Sequence, residues 1–256
     1  MSDILRVDTF DDVRVWTVNR PDARNAVNAE LADALELALD AAESDRNLRA
    51  LILTGAGEVF ISGADLKFLR SAAPDARLAM DRRILELLGR IEGLPLPVIA
   101  ALNGAAIGGG TEVALACDLR IAEPHVTFTF KHAAMGVTPG WGGLARAARI
   151  LSPGAAARAF FTALPIPAQE ALRIGLIDEL ADPGKGLDRA LELARLIAKN
   201  SPSTVHALKG LLRSAYAAQL SLEAEQRTFR QSTEGADHRE ALEAFFQKRP
   251  PRFSPR

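Results

Sequence analysis

Before Pro153, the hydrophobic and polar positions follow two kinds of pattern, one typical of strands and one typical of helices. The β-rich runs ILRVDTF and VRVWTV flank Asp11 and Asp12, which predicts a hairpin. The runs LRALILTG and PVIAALNG are apolar almost throughout and predict buried strands. A stripe at helical spacing follows Asn28, which predicts a helix that this side chain caps. The stripe consists of Leu31, Leu35 and Leu39.

Further helices are predicted over residues 65–70, 75–91 and 111–117. The second carries an apolar stripe of Ile84, Leu87, Leu88 and Ile91. This succession of strands and helices favours an α/β fold with mainly parallel pairing. After Pro153 the patterns are helical, and only GLIDEL is typical of a strand. We expect the apolar stripes of this last third to serve an oligomer interface. They include Leu191, Ala194 and Ile197.

Composition narrows the class of protein. The 256 residues are 48% apolar and 25% charged, with a net charge of −1, which favours neither a nucleic acid nor a membrane surface as partner. The single cysteine, Cys117, excludes an internal disulfide. The start, MSDILRVDTF, lacks the regions of a signal peptide, and prolines interrupt the most apolar stretch. We therefore expect a cytoplasmic protein.

The stretch NGAAIGGGTEVALACDLRIA poses the main chemical question, because three glycines at 108–110 open a predicted helix. A Walker phosphate loop would close such a run with Gly-Lys, and here Thr111 and Glu112 follow. Two other glycine stretches lack the third glycine of a dinucleotide fingerprint. The four histidines show no paired spacing for a metal, and we expect no metal site.

An oxyanion site is one interpretation of the glycines. The first N–H groups of a helix have no internal partner, and glycine lets a ligand approach them closely. Glu112 would then act as a base or acid beside an oxygen that becomes negative. The alternative is that the glycines only permit tight packing and that Glu112 is a solvated residue of the first turn. The residues alone leave both open.

A second turn of small residues lies in EVFISGADLKFL, where Ser62 to Ala64 follow the LILTG strand. Its backbone would supply a second N–H donor, and two donors make a hole for a carbonyl oxygen. On local signal, the alternative is an ordinary helix start with Asp65 as its cap.

These two segments resemble the oxyanion segments of the enoyl-CoA hydratase/isomerase (crotonase) superfamily. Four further stretches resemble its other signatures in the same order: NRPDARNAVNAEL, MGVTPGWGG, EALRIGLIDEL and AFFQKRPPRF. The resemblance implies an α/β fold, a crotonase-like spiral of ββα turns over residues 1–195, with a C-terminal helical trimerisation region over 196–256. It also implies an acyl-CoA thioester as substrate, no metal or redox cofactor, and a homotrimer or dimer of trimers.

Site residues follow from the resemblance position by position. Ala64 and Gly109 would form the oxyanion hole through their N–H groups, and Glu112 matches the first of two hydratase glutamates. Lys67 would lie near the CoA phosphates, with Lys248 and Arg249 adding charge. The full set expected to bind CoA or substrate is Ser62, Ala64, Asp65, Leu66, Lys67, Gly108, Gly109, Pro139, Trp141 and Lys248.

The resemblance breaks at the second hydratase glutamate. Its place, four residues before Gly136, is taken by His132. The stretch from His132 to Gly143 also resembles the ethylmalonyl/methylmalonyl-CoA decarboxylase branch. Three hypotheses follow: a hydratase-like lyase, a decarboxylase of a short malonyl-type CoA, and a non-catalytic or RNA-binding member of the fold. In the first two, Glu112 and His132 are the catalytic pair, and otherwise His132 is structural.

Overall fold

Two sheets with mainly parallel pairing run through the part of the chain that the computed structural model describes, residues 4–216 and 222–251. In spatial order, the larger sheet contains β1 (Leu5–Phe10), β2 (Val13–Val18), β3 (Ala50–Gly55), β5 (Val98–Leu102), β7 (Leu119–Ala122) and β10 (Glu179–Leu180). The smaller contains β4 (Val59–Ile61), β6 (Ala105–Ile107), β8 (Thr127–Thr129) and β9 (Ile166–Pro167). Among the described strands, only the pairs β1–β2 and β8–β9 are antiparallel.

The helices in chain order are α1 (Ala29–Ser44), α2 (Leu66–Ser71), α3 (Pro74–Gly93), α4 (Gly109–Ala116), α5 (Gly143–Ile150), α6 (Pro153–Thr162), α7 (Ala168–Arg173), α8 (Gly186–Ala198), α9 (Pro202–Tyr216), α10 (Leu222–Thr233) and α11 (Ala236–Phe246). The predicted hairpin and the predicted cap are confirmed, since Asn28 accepts a hydrogen bond from the N–H of Leu31. Helix α4 begins at Gly109, two residues before the predicted start.

Both faces of the larger sheet are covered, which explains why its central strands are apolar at every position. On one face, Leu51 and Leu53 pack with the buried stripes of α1 and α3. On the other, Ile52 packs with Leu191 and Ala194 of α8. The expectation that this α8 stripe serves an oligomer interface is therefore wrong, because it covers the sheet of its own chain.

Two further sequence predictions need correction. Within GLIDEL only Glu179–Leu180 forms a strand, and the two-residue strand Ile166–Pro167 was not predicted.

The division between residues 195 and 196 falls inside α8 and stays a prediction. The tail motif AFFQKRPPRF is described as far as Pro251, and its last two residues lie outside the described part. None of the described helices is long and apolar enough to cross a membrane.

The smaller sheet determines where chemistry can occur. Strand β4 pairs parallel with β6, and β6 pairs parallel with β8, so their carboxyl ends lie at one edge. The segments that leave this edge are Ser62–Ala64, Gly108–Gly110 and Phe130–His132. Ligands of open α/β sheets bind at such an edge, beyond the carboxyl ends of the strands.

Candidate active site

The two small-residue turns pack directly against each other. Gly63 has a φ of +91°, and a Cβ at that position would lie 3.0 Å from the backbone N of Gly109. A Cβ on Gly110 would overlap with the carbonyl oxygen of Ile61. Glycine is therefore required here by close approach of one backbone to another. The sequence prediction that these two segments meet is confirmed.

Two backbone N–H groups at this junction are available to a ligand. A parallel bridge to Val27 fixes the turn, because Val27 N–H donates to the Gly63 oxygen and Asp65 N–H donates to the Val27 oxygen. Within the described residues, the N–H groups of Ala64 and Gly109 donate no hydrogen bond. Both residues are half-buried, so a ligand can reach them. The arrangement fits the predicted oxyanion hole.

Glu112 is a buried carboxylate with a defined partner at each oxygen. Its side chain is only 2% exposed, so the alternative of a solvated first-turn residue is wrong. Oε2 accepts hydrogen bonds from the backbone N–H groups of Trp141 at 2.9 Å and Gly143 at 2.7 Å. Oε1 lies 3.0 Å from Nε2 of His132. Two fixed donors hold Oε2, which leaves Oε1 as the oxygen that can exchange a proton.

His132 occupies the predicted place beside Glu112. The imidazole is buried, and its ring centroid lies 6.1 Å from that of Phe160. Its second nitrogen, Nδ1, is buried and has no hydrogen-bond partner in the described part of the chain. Buried polar atoms in folded proteins almost always have partners, so an unpartnered one at this edge is a candidate contact for substrate or water. One nitrogen of His132 thus serves Glu112 and the other is free.

Asp81 is a member of the site that the sequence analysis missed. Its Oδ1 accepts a hydrogen bond from the indole Nε1–H of Trp141 at 3.0 Å. Burial raises the pKa of Asp81 to about 7; the hydrogen bond from Trp141 opposes this rise and the nearby charge of Glu112 adds to it. A signal existed, because Asp81 lies three residues before Ile84 and so falls on the apolar stripe of α3.

Trp141 connects the carboxylates to the oxyanion turn. Its ring lies so close to Gly109 that a Cβ at that position would overlap with it. Its carbonyl oxygen accepts a hydrogen bond from Nη1 of Arg146 at 2.6 Å. Because residue 141 lies in an irregular loop before α5, these contacts rather than helix geometry fix its position.

Some of the other residues predicted to bind CoA or substrate lie at the two turns, and others lie outside them. Ser62, Asp65 and Gly108 lie at the two turns, and Asp65 caps α2 by accepting from the N–H of Lys67. Lys67 and Lys248 are exposed, whereas Pro139 is buried. A guanidinium–ring contact of 4.6 Å between Arg70 and Phe246 places α2, which also carries Leu66, against α11. Both lysines therefore belong to neighbouring segments, and their roles stay predictions. Over the described residues, no three His, Cys, Asp or Glu side chains are grouped to hold a metal ion.

Comparisons with known proteins agree with this geometry. The sequence profile of the enoyl-CoA hydratase/isomerase family matches residues 9–256. A short-chain-enoyl-CoA hydratase of Clostridium acetobutylicum is 36% identical over 93% of this chain and 92% of the relative. A putative enoyl-CoA hydratase/isomerase of Bacillus subtilis is 38% identical over 91% of each chain.

Solved structures with the same fold include both kinds of lyase that the sequence suggested. An enoyl-CoA hydratase from Bacillus anthracis is 33% identical and superposes with a TM-score of 0.81 over 98% of each chain. A methylmalonyl-CoA decarboxylase in complex with 2-nitronate-propionyl-CoA is 27% identical, with a TM-score of 0.88 over 98% of each chain.

Proposed function

This chain belongs to the enoyl-CoA hydratase/isomerase family and is an enzyme of the enoyl-CoA hydratase type, and we propose that it adds water reversibly to the C=C bond of a short enoyl-CoA. The observation that carries the proposal is the buried Glu112–His132 pair, next to two backbone N–H groups that no described residue uses. Support for the substrate class comes from the relative named as a short-chain-enoyl-CoA hydratase.

The N–H groups of Ala64 and Gly109 would hold the thioester oxygen. Addition to Cβ places negative charge on that oxygen as the enolate forms. Donors that are already oriented stabilise this charge by roughly 3–4 kcal/mol each, because little reorganisation is needed. The position of Gly109 at the first turn of α4 adds the positive end of the helix dipole.

The Glu112–His132 pair would move the protons. As the water oxygen bonds to Cβ, one member takes a proton from water and the other delivers a proton to Cα, so the pair's net proton count is unchanged. Oε1 of Glu112 is suited to the Cα step, because Oε2 is held by two backbone donors. Neutral His132, with its Nε2 proton directed to Glu112, would take the water proton at Nδ1 and pass its Nε2 proton to Oε1, which delivers it to Cα.

CoA would lie along α2, with Lys67 and Lys248 facing its phosphates. Polarisation of the thioester by backbone donors needs no metal or redox group, so the proposed reaction uses neither. A homotrimer or dimer of trimers in the cytoplasm is part of the same proposal. Its support is the exposed leucines of α9, Leu208, Leu211 and Leu212, which are 53–67% exposed in the single chain. Light scattering at micromolar concentration that found only monomer would reject the assembly.

The test is hydration of crotonyl-CoA, followed by the loss of absorbance of the conjugated thioester. The wild type should be active, and Glu112→Gln should lose at least about 100-fold in kcat. The matched control is Glu123→Gln, since Glu123 is another buried acid whose oxygens accept backbone N–H groups, of Gly184 and Gly186. Full activity in Glu112→Gln would reject the assignment of the pair.

Decarboxylation of a short malonyl-type CoA is a second candidate, favoured specifically by His132. A protonated His132 would donate Nε2–H to Glu112 and Nδ1–H to the substrate carboxylate. The C–C bond to that carboxylate then breaks, carbon dioxide leaves, and its bonding electrons form the enolate held at Ala64 and Gly109. His132 then passes its Nε2 proton to Oε1 of Glu112, Glu112 delivers that proton to Cα, and the pair regains one proton from solvent. The comparison structure of a methylmalonyl-CoA decarboxylase shows that this fold accommodates such a reaction.

Ethylmalonyl-CoA distinguishes the two reactions. If decarboxylation is the main activity, the wild type should release carbon dioxide from it faster than it hydrates crotonyl-CoA. His132→Ala should then weaken binding of the malonyl-type substrate by roughly 10- to 150-fold, the value of a charge-assisted hydrogen bond. A non-catalytic or RNA-binding role would require the wild type to be inert on both substrates.

A further inference from the structure

Asp81 lies close to the candidate site but has no role in the proposed reaction. It is a buried acid on the apolar stripe of α3, and it reaches the indole N–H of Trp141. An amide at this position would accept the same hydrogen bond without the cost of burying an ionisable group. A carboxyl group buried at such a cost beside a cleft is a candidate for a functional role.

Trp141 is the residue through which Asp81 can act. Its backbone N–H holds Oε2 of Glu112 at 2.9 Å, while its ring covers Gly109. The residue lies in an irregular loop, so no helix or strand sets the orientation of its ring. Loss of the hydrogen bond from Nε1 to Asp81 would let the indole ring tilt. That movement would disturb the acid–base group and the oxyanion turn together.

We propose that Asp81 is a positioning residue that acts through Trp141 to hold Glu112 and the Gly109 turn in their relative positions. The inference rests on the proposed function, because it assigns Glu112 and Gly109 their roles there. Asp81 does not contact the reacting atoms in this scheme. Its influence reaches them through one hydrogen bond and one packed ring.

The surroundings of Asp81 allow its ionisation to change with pH. The residue lines a cavity of about 470 Å³ between α3 and α10, so protons can reach it from solvent. The charged groups around it are Glu112 on the inner side, and Arg82, Arg227 and Arg230 along the cavity. With a pKa near 7, Asp81 is mainly neutral below that pH and ionised above it. The ionised form binds the indole N–H more strongly.

A fluorescence experiment tests the contact without any substrate. The chain has two tryptophans, so Trp16→Phe leaves Trp141 as the only one. In that background, tryptophan emission should titrate with a midpoint near pH 7, and Asp81→Asn should abolish the transition. Glu86→Gln, an exposed carboxyl of the same helix, is the control and should leave the transition in place. A transition that persisted unchanged in Asp81→Asn would overturn the proposal.

Kinetics then test positioning, with whichever of the two substrates the wild type accepts. Asp81→Leu and Trp141→Phe should each lower kcat at least about tenfold, with KM changed less than about threefold. Asp81→Asn keeps the acceptor oxygen and should recover part of the loss. The double variant Asp81→Leu/Trp141→Phe should be no worse than the poorer single variant, because both remove one interaction. Losses that multiplied, or wild-type kcat in Asp81→Leu, would reject a role through Trp141.

Failure of the two tests has different meanings. A wild type inert on both substrates would reject the proposed function, yet the fluorescence titration would still show whether Asp81 is bound to Trp141. An active wild type with no loss in Asp81→Leu would reject positioning alone.

Discussion

Replacement of Asp81 by Asn should remove a pH dependence from the free energy of unfolding. In the folded protein, burial keeps the proton on Asp81 up to a pH of about 7, its pKa there. In the unfolded chain the proton leaves near pH 3.8, the ordinary pKa of an aspartic acid side chain. Between these values unfolding releases one proton, so stability falls as pH rises, by about 1.4 kcal/mol per pH unit. From pH 5 to pH 8 the loss amounts to about 2.5 kcal/mol.

The measurement is urea denaturation followed by circular dichroism at pH 5, 6, 7 and 8, at one fixed protein concentration. His238 contributes in the opposite sense, since burial lowers its pKa and stability then rises with pH below 6.5. Because His238 is present in both proteins, its effect cancels in the difference between wild type and Asp81→Asn. That difference should change by about 2.5 kcal/mol from pH 5 to pH 8. Parallel profiles would refute a buried, proton-holding Asp81.

Three further outcomes are expected. Gly109→Ala places a Cβ inside the ring of Trp141 and should cost about 1–3 kcal/mol of stability and most of the activity. The control is Gly89→Ala, which has open space around it in α3 and should be at least as stable as wild type in the same denaturation assay. His132→Glu should raise crotonyl-CoA hydration by supplying a second carboxylate for the water, and an equal or lower rate in a folded variant would contradict that explanation. Asn28→Ala removes the cap of α1 and should lower the free energy of unfolding by about 1 kcal/mol without changing kcat; an unchanged melting temperature would show that the cap contributes nothing.

Local chemistry was sufficient for much of the fold. The hairpin at Asp11, the cap at Asn28 and the apolar strands β3 and β5 each depend on neighbours within a few residues or on one repeated period. The two glycine turns were also recognisable in sequence, because a strand, a run of small residues and a helix start are contiguous. Strands of two or three residues, such as β4 and β9, carry too few positions to show a period.

From the sequence, the resemblance to the crotonase superfamily implied that Ala64, Gly109, Glu112 and His132 share one site. Only the tertiary structure decided that Glu112 is buried and bonded to His132, since that contact joins helix α4 to the loop after β8. The tertiary structure also decided that the apolar stripe of α8 faces the sheet of its own chain. A helix that packs on a sheet and a helix that packs on a partner subunit have the same spacing of apolar residues, so the sequence cannot distinguish them. The role of Asp81 was missed for the same physical reason: its place on the apolar stripe of α3 was visible in the sequence, but its partner Trp141 lies sixty residues away along the chain and 3.0 Å away in space.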